Sequence, residues 1–111
     1  MAEKKPCLGI MYKSLLLNAE DNVAVALAEV PAHTTIVVTD ETGNVQASGV
    51  NVLQHIPFAH KIAIRPINKD DPITKYGVPV AFATADIAVG EWVHTHNATS
   101  YLAAKSKGGN P

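Results

Sequence analysis

At 111 residues and a formal net charge of −1, the chain has the length of one domain, and its nine Lys and Arg are scattered rather than gathered into the basic stripe that nucleic-acid binding needs. A single cysteine, Cys7, cannot close an internal disulfide, and without Cys pairs no structural zinc site is expected, so the setting reads as reducing and cytoplasmic. Aromatic residues make up only 5% and the apolar set is biased to Val, Ile and Ala, which favours a light, β-branched core built from strands.

Residues 1–14 read as an N-terminal lead, in which Lys13 interrupts the apolar run too early for a signal segment; no membrane-length segment occurs. Residues 15–17 and 23–28 alternate large with small side chains, as a strand crowded on one face does. Between them, Asn18-Ala19-Glu20-Asp21-Asn22 has turn chemistry, because Asn and Asp bond their own backbone and tolerate left-handed angles. Pro31-Ala32-His33 is the next break, residues 34–39 form a β-branched strand, and Asp40-Glu41-Thr42-Gly43-Asn44 is a hairpin-type turn into Val45. After the break at Ile56-Pro57-Phe58-Ala59, residues 60–65 alternate polar and apolar, which puts Ile62 and Ile64 on one face and Lys61, Ala63 and Arg65 on the other. Pro66 closes that strand. Residues 68–72 form a turn, 73–76 a short strand, Gly77 a positive-φ corner, and 78–85 a strand carrying Pro79. From about Ser100 the composition turns to Lys, Ser and Gly, so that 98–111 reads as a flexible tail. No internal repeat is evident and no segment has the pattern of a three-turn helix, so the expectation is a mostly β domain.

The segment Gly90-Glu91-Trp92-Val93-His94-Thr95-His96-Asn97-Ala98-Thr99 places two imidazoles two residues apart beside the only tryptophan. Read as an extended strand, it turns Trp92, His94 and His96 to one side and Val93, Thr95 and Asn97 to the other. Metal binding, proton transfer and anion binding are all open on this spacing, and so is an exposed edge strand with solvated histidines, because two imidazoles are fewer ligands than a metal centre needs.

Several motifs recur in order: Glu20-Asp21-Asn22-Val23-Ala24-Val25-Ala26, Ile56-Pro57, His60-Lys61-Ile62-Ala63-Ile64-Arg65, Lys75-Tyr76-Gly77, Ala83-Thr84-Ala85-Asp86-Ile87, and the Trp92 to Asn97 motif. Together they resemble the SAF domain of the altronate and galactarate dehydratase family, with residues 15–97 as the domain. The resemblance implies a compact β-clip of short, curved strands. In that family the module is either fused ahead of a large catalytic domain or stands as a separate small subunit, as it also does in the related sulfolactate sulfo-lyases. A chain of this length is then expected to be a small subunit that supplies part of an active site to a large catalytic subunit acting on an anionic sugar acid such as altronate or galactarate. A sulfo-lyase subunit, or a non-enzymatic β-clip for anion binding or assembly, is the alternative. The sequence leaves self-association open.

Dehydration of a sugar acid needs a base for a weakly acidic proton, a cation for enolate-like charge, and help for a departing hydroxyl. The resemblance implies a divalent metal, iron in several members, with His94 and His96 as ligands and the rest supplied by the large subunit. Lys61, His96 and Asp21 are the expected catalytic groups, and Asn22 and Asn97 the expected substrate contacts. Asp21 and Asn22 equally suit a turn cap, and Lys61 equally suits a solvated strand position with a buried stem. His60 is balanced between the two readings; His33 and His55 read as surface residues, Trp92 as a packing residue, and Tyr76 as a half-buried corner. Cys7 receives no chemistry.

Overall fold

The β-branched segments do form strands. A computed structural model describes residues 11–100, so Cys7, residues 1–10 of the lead and residues 101–111 of the tail lie outside the described residues. Within them the architecture is mostly β, with no helix. The strands are β1 (Tyr12–Leu15), β2 (Val23–Ala26), β3 (Thr35–Thr39), β4 (Val45–Asn51), β5 (Lys61–Ala63), β6 (Pro72–Lys75), β7 (Val78–Ala83), β8 (Trp92–Val93) and β9 (Ala98–Ser100). One sheet has the order β4-β3-β1-β2-β5-β8, in which only β1 and β3 run parallel; a second has the order β6-β7-β9. β1 and β9 thus extend on either side of the 15–97 span read from the sequence.

Two apolar clusters divide the interior. Ile62 and Ile64 pack into the first with Ile36, Val38 and Ile56, while Ala63 joins the second with Ile73, Ile87 and Val93. The alternation read along residues 60–65 therefore holds, and Lys61 shares its face with the second cluster.

A repeated corner, not evident from the residues, organises the connections. Four ten-residue stretches, 26–35, 52–61, 63–72 and 83–92, each begin at a fully buried small or β-branched residue (Ala26, Val52, Ala63, Ala83). Each then buries Val or Ile at its fifth position (Val30, Ile56, Ile67, Ile87). Each turns at an eighth residue of positive φ: His33 at 65°, Ala59 at 72°, Asp70 at 75° and Gly90 at 89°. The corners pair off reciprocally. In the first pair, Val30 and Ile56 exchange both N–H···O bonds at 2.9 and 2.8 Å, while His33 N–H donates to Val52 C=O at 2.7 Å and Ala59 N–H to Ala26 C=O at 2.8 Å. In the second, Ile67 and Ile87 do the same at 2.9 and 2.7 Å, with Asp70 N–H on Ala83 C=O and Gly90 N–H on Ala63 C=O, both at 2.8 Å. Acidic side chains brace both pairs: Glu29 accepts Phe58 N–H at 3.1 Å, and Asp86 accepts Lys69 N–H at 2.8 Å. Every inward backbone group at the corners thereby finds a partner without a long strand. The repetition is faint in the sequence because only a small or β-branched first residue and a Val or Ile at the fifth recur in all four, while the residue of positive φ differs at each.

Two local expectations are corrected. The strand through His94 and His96 ends at Val93, and residues 94–97 form a turn closed by Asn97 N–H on His94 C=O at 3.1 Å. Asn97 is the cause: buried, it accepts His94 N–H on Oδ1 at 3.0 Å and donates from Nδ2 to Trp92 C=O at 2.8 Å, competing with strand continuation. Tyr76 is not half-buried but 61% exposed, because it sits at φ 59° beside Gly77 at φ 75° on the tip of the β6–β7 hairpin, where both central residues of the turn need positive φ.

Candidate functional site

β5 is an interior strand, flanked by β2 and β8, and its register sets Lys61 opposite Val25 on one side and Val93 on the other. The neighbouring pair is Ile62 opposite Trp92, so the same register carries His60 toward His94 and leaves His60 diagonal to Trp92 on the same face, with the His60 and Trp92 rings 5.7 Å apart. The Trp92 Nε1–H donates to His60 Nδ1 at 3.1 Å. An indole nitrogen can only donate, so Nδ1 accepts and the neutral ring of His60 carries its proton on Nε2.

The turn that follows β8 folds both remaining imidazoles back on the indole. Trp92 and His94 stack at 5.2 Å between centroids with 7° between planes, Trp92 and His96 lie 5.2 Å apart at 46°, and His60 approaches His94 at 4.9 Å. Trp92, His94 and His96 therefore do share a side, through a turn rather than a strand. His94 and His96 are exposed, and among the described residues no hydrogen bond reaches their ring nitrogens. Two imidazoles thus present unoccupied nitrogens from a platform that fixes their rings.

Lys61 and His94 also meet, at the wall of an open cleft of about 270 Å³ between the two sheets. Its floor is apolar, with Ile73, Val80 and Val93, and Thr95 and Thr99 bring hydroxyls to it. Burial holds the Lys61 amine below the usual lysine range, and the positive charge of Lys75 on β6 pushes the same way. Among the described residues no carboxylate lines this cleft and Lys61 has no ion-pair partner.

The other expected site residues are engaged elsewhere. Asp21 is fully buried and accepts Tyr76 N–H at 3.0 Å on one oxygen and Gly77 N–H at 2.8 Å on the other, tying the end of the first turn to the β6–β7 hairpin. Asn22 clamps the same hairpin, donating to Pro72 C=O at 2.9 Å and accepting Thr74 N–H at 2.9 Å. Asn97 sits inside its own turn. The structure thus puts Lys61 and His94 on one cleft, and His94 and His96 against one indole, while Asp21, Asn22 and Asn97 bond backbone groups that shape the surroundings. His60 and Lys75 join the neighbourhood; the signal for His60 was its place next to Lys61 at the start of an alternating strand. His55 is exposed and pairs with Glu29 at 2.6 Å, and His33 is exposed at its corner, both as surface residues. Among the described residues no group of three or more His, Cys, Asp or Glu could hold a metal ion, and no helix is long and apolar enough to cross a membrane.

Against known proteins, the model of the altronate/galactarate dehydratase SAF domain matches residues 12–101. The chain is 40% identical over 86 residues to altronate dehydratase of Escherichia coli, covering 78% of this chain and 16% of that protein. To altronate dehydratase of Bacillus subtilis it is 32% identical over 92 residues, covering 83% of this chain and 17% of that protein. With (2R)-sulfolactate sulfo-lyase subunit alpha of Chromohalobacter salexigens it shares 43% identity over 42 residues, 38% of this chain and 45% of that subunit. The chain therefore spans less than a fifth of the altronate dehydratases it matches.

Proposed function

The chain belongs to the altronate/galactarate dehydratase SAF-domain family, and from that premise we propose that it is the SAF module of a lyase acting on a hydroxylated carboxylic acid, lending side chains to an active site completed by a larger catalytic chain. The observation that carries this reading is the pair His94 and His96, exposed, His94 stacked on Trp92 and His96 tilted against it, both without partners for their ring nitrogens among the described residues. An imidazole is the side chain best suited to exchange protons near neutral pH, and fixed rings aimed outward suit a reaction centre that another chain closes. The small share of altronate dehydratase that the chain matches supports the need for a catalytic partner.

In this reading His96 takes the proton from the carbon that bears the carboxylate, the C–O bond on the neighbouring carbon breaks as His94 protonates its hydroxyl, which leaves as water, and the Lys61 ammonium offsets the negative charge that develops between the two steps. Asp21, held by two backbone donors, keeps the hairpin in place and is given no proton-transfer step. His94 and His96 are the two donors this chain can offer a divalent metal; a complete coordination shell requires the partner's ligands.

A sulfo-lyase reading is supported by one observation, the 43% identity over 42 residues to (2R)-sulfolactate sulfo-lyase subunit alpha of Chromohalobacter salexigens. The experiment is to purify the chain with its associated large partner and assay the complex for loss of water from altronate and galactarate and for release of sulfite from sulfolactate. The His94→Ala/His96→Ala double variant is expected to assemble normally and lose at least about 10²-fold in turnover, the usual weight of general acid–base groups. Full activity in the double variant, or turnover by this chain alone, would sink the proposal.

A further inference from the structure

We propose that the cleft between the two sheets is an anion-binding subsite formed within this chain alone, in which Lys61 takes a carboxylate and the hydroxyl-bearing wall of Thr95 and Thr99 takes a neighbouring hydroxyl group. The choice of a hydroxy acid as occupant rests on the lyase reading above; the subsite itself rests on geometry.

Lys61 stands on an interior strand, so its backbone is held by paired neighbours on both sides and its side chain leaves the sheet on the face that lines the cleft. Its face is that of the second apolar cluster, and Ile73, Val80 and Val93 line the space it enters. A half-buried ammonium among apolar side chains, with no carboxylate on the cleft wall among the described residues, is a partly desolvated charge without a counter-charge there. Lys75, on β6 of the second sheet, adds positive potential, and the lowered basicity of Lys61 reflects both effects. A structural lysine would be expected to reach an acidic side chain or bulk water; this one is held where a small anion would offset both the desolvation and the Lys61–Lys75 repulsion. Hydroxyl groups, which donate and accept, complement a substrate that carries a hydroxyl beside its carboxylate. The volume of about 270 Å³ suits a small organic anion and lies just under the usual range for drug-sized ligands, roughly 300–1,000 Å³.

The test is titration of the full chain with meso-tartrate, succinate and sodium sulfate, following amide shifts by NMR at constant ionic strength. Tartrate is expected to shift Lys61, Val93, Thr95 and Thr99 saturably, with succinate at least threefold weaker for want of hydroxyls. Lys61→Met is expected to weaken tartrate at least tenfold while keeping the wild-type fold by circular dichroism, and Thr99→Val is expected to erase the preference for tartrate over succinate. Binding unchanged in Lys61→Met, or shifts spread over exposed lysines without saturation, overturns the subsite. Sulfate binding as tightly as tartrate, at the same amides and lost in Lys61→Met, upholds an anion subsite but removes its hydroxy-acid selectivity. The lyase reading fails separately, by full turnover in the His94→Ala/His96→Ala complex.

Discussion

Gly90→Ala separates two reasons for a glycine that are usually confounded. Three of the four corners turn at a non-glycine residue of positive φ, so the angle alone does not require glycine at the fourth. At Gly90 an added Cβ would lie 1.9 Å from the carbonyl oxygen of Asn51, where real Cβ atoms essentially never come closer than 3.0 Å, so backbone must move by about 1 Å. That movement strains Gly90 N–H on Ala63 C=O at 2.8 Å and Leu53 N–H on Gly90 C=O at 2.9 Å, the second being the bond that ties the fourth corner to the second. Losing two such bonds costs roughly 1 kcal/mol each, and the left-handed angle adds about 1–2 kcal/mol, for about 3–4 kcal/mol against a domain stability of about 5–15 kcal/mol. Gly43 is the control, with φ +91° and nothing within 4 Å of an added Cβ, so Gly43→Ala should cost only the angle, about 1–2 kcal/mol. Urea unfolding followed by Trp92 fluorescence measures both. Equal losses in the two variants would refute close approach as the reason for Gly90.

Asp21→Ala should destabilise by about 3 kcal/mol, because the Tyr76 and Gly77 N–H groups lose a charged acceptor; hydrogen exchange should quicken first at these two amides, and uniform quickening across both sheets would count against a local clamp. Lys61→Met should raise the urea midpoint at neutral pH. The folded amine has a pKa below 10.5, so its desolvation cost is fully present below the folded value and is relieved as pH rises toward 10.5; the advantage of the variant should shrink over that range, and a pH-independent advantage would refute the cause. On the acid side, Glu29 is held below 4.5 by Phe58 N–H and then His55, and Asp40 below 3.8 by the Thr42 hydroxyl. Both therefore add stability that is present above those values and fades as pH falls through the folded ones. Glu29→Gln should flatten the acid limb of a stability profile, and an unchanged limb would dismiss its part.

What could be read in the chain were the features written in periodicity. The alternation over residues 60–65 placed Ile62 and Ile64 in one cluster and Ala63 in the other because a strand leaves no third choice. The hairpin at 40–44 was equally plain: Asp40 Oδ1 accepts the Thr42 and Asn44 N–H groups, as its turn chemistry implies. Features that depend on contacts distant in sequence were not readable. Asp21 looks like an acid near a turn, and only its approach to residues more than fifty positions away shows it serving the Tyr76–Gly77 backbone. His94 and His96 were put on one side by strand alternation, whereas the buried amide of Asn97 makes a turn that achieves the same by another route. The shared side holds and the geometry differs, and the difference matters because the turn folds His96 back to 5.2 Å from the Trp92 ring, whereas a continued strand would carry it away along the ladder.

The repeated corner also accounts for where the chemistry falls. The ninth and tenth positions of the four corners are Thr34 and Thr35, His60 and Lys61, Asp71 and Pro72, and Glu91 and Trp92. Four equivalent exits exist, yet only the second and fourth lead into strands that pair with each other, β5 and β8. The first leads into β3, which pairs with β1 and β4, and the third into β6 of the smaller sheet. Two exits meeting side by side place His60 and Lys61 against Trp92, and the turn after β8 adds His94 and His96. Backbone repetition supplies rigidity at all four corners at once, since each pair is closed by reciprocal hydrogen bonds, and side chains can differ at the exits without loss of the frame. Gly90 is the joint in this arrangement. It lets the fourth corner close on the end of β4, and a shift there would be felt two residues later at Trp92, on which His94 stacks and against which His96 tilts.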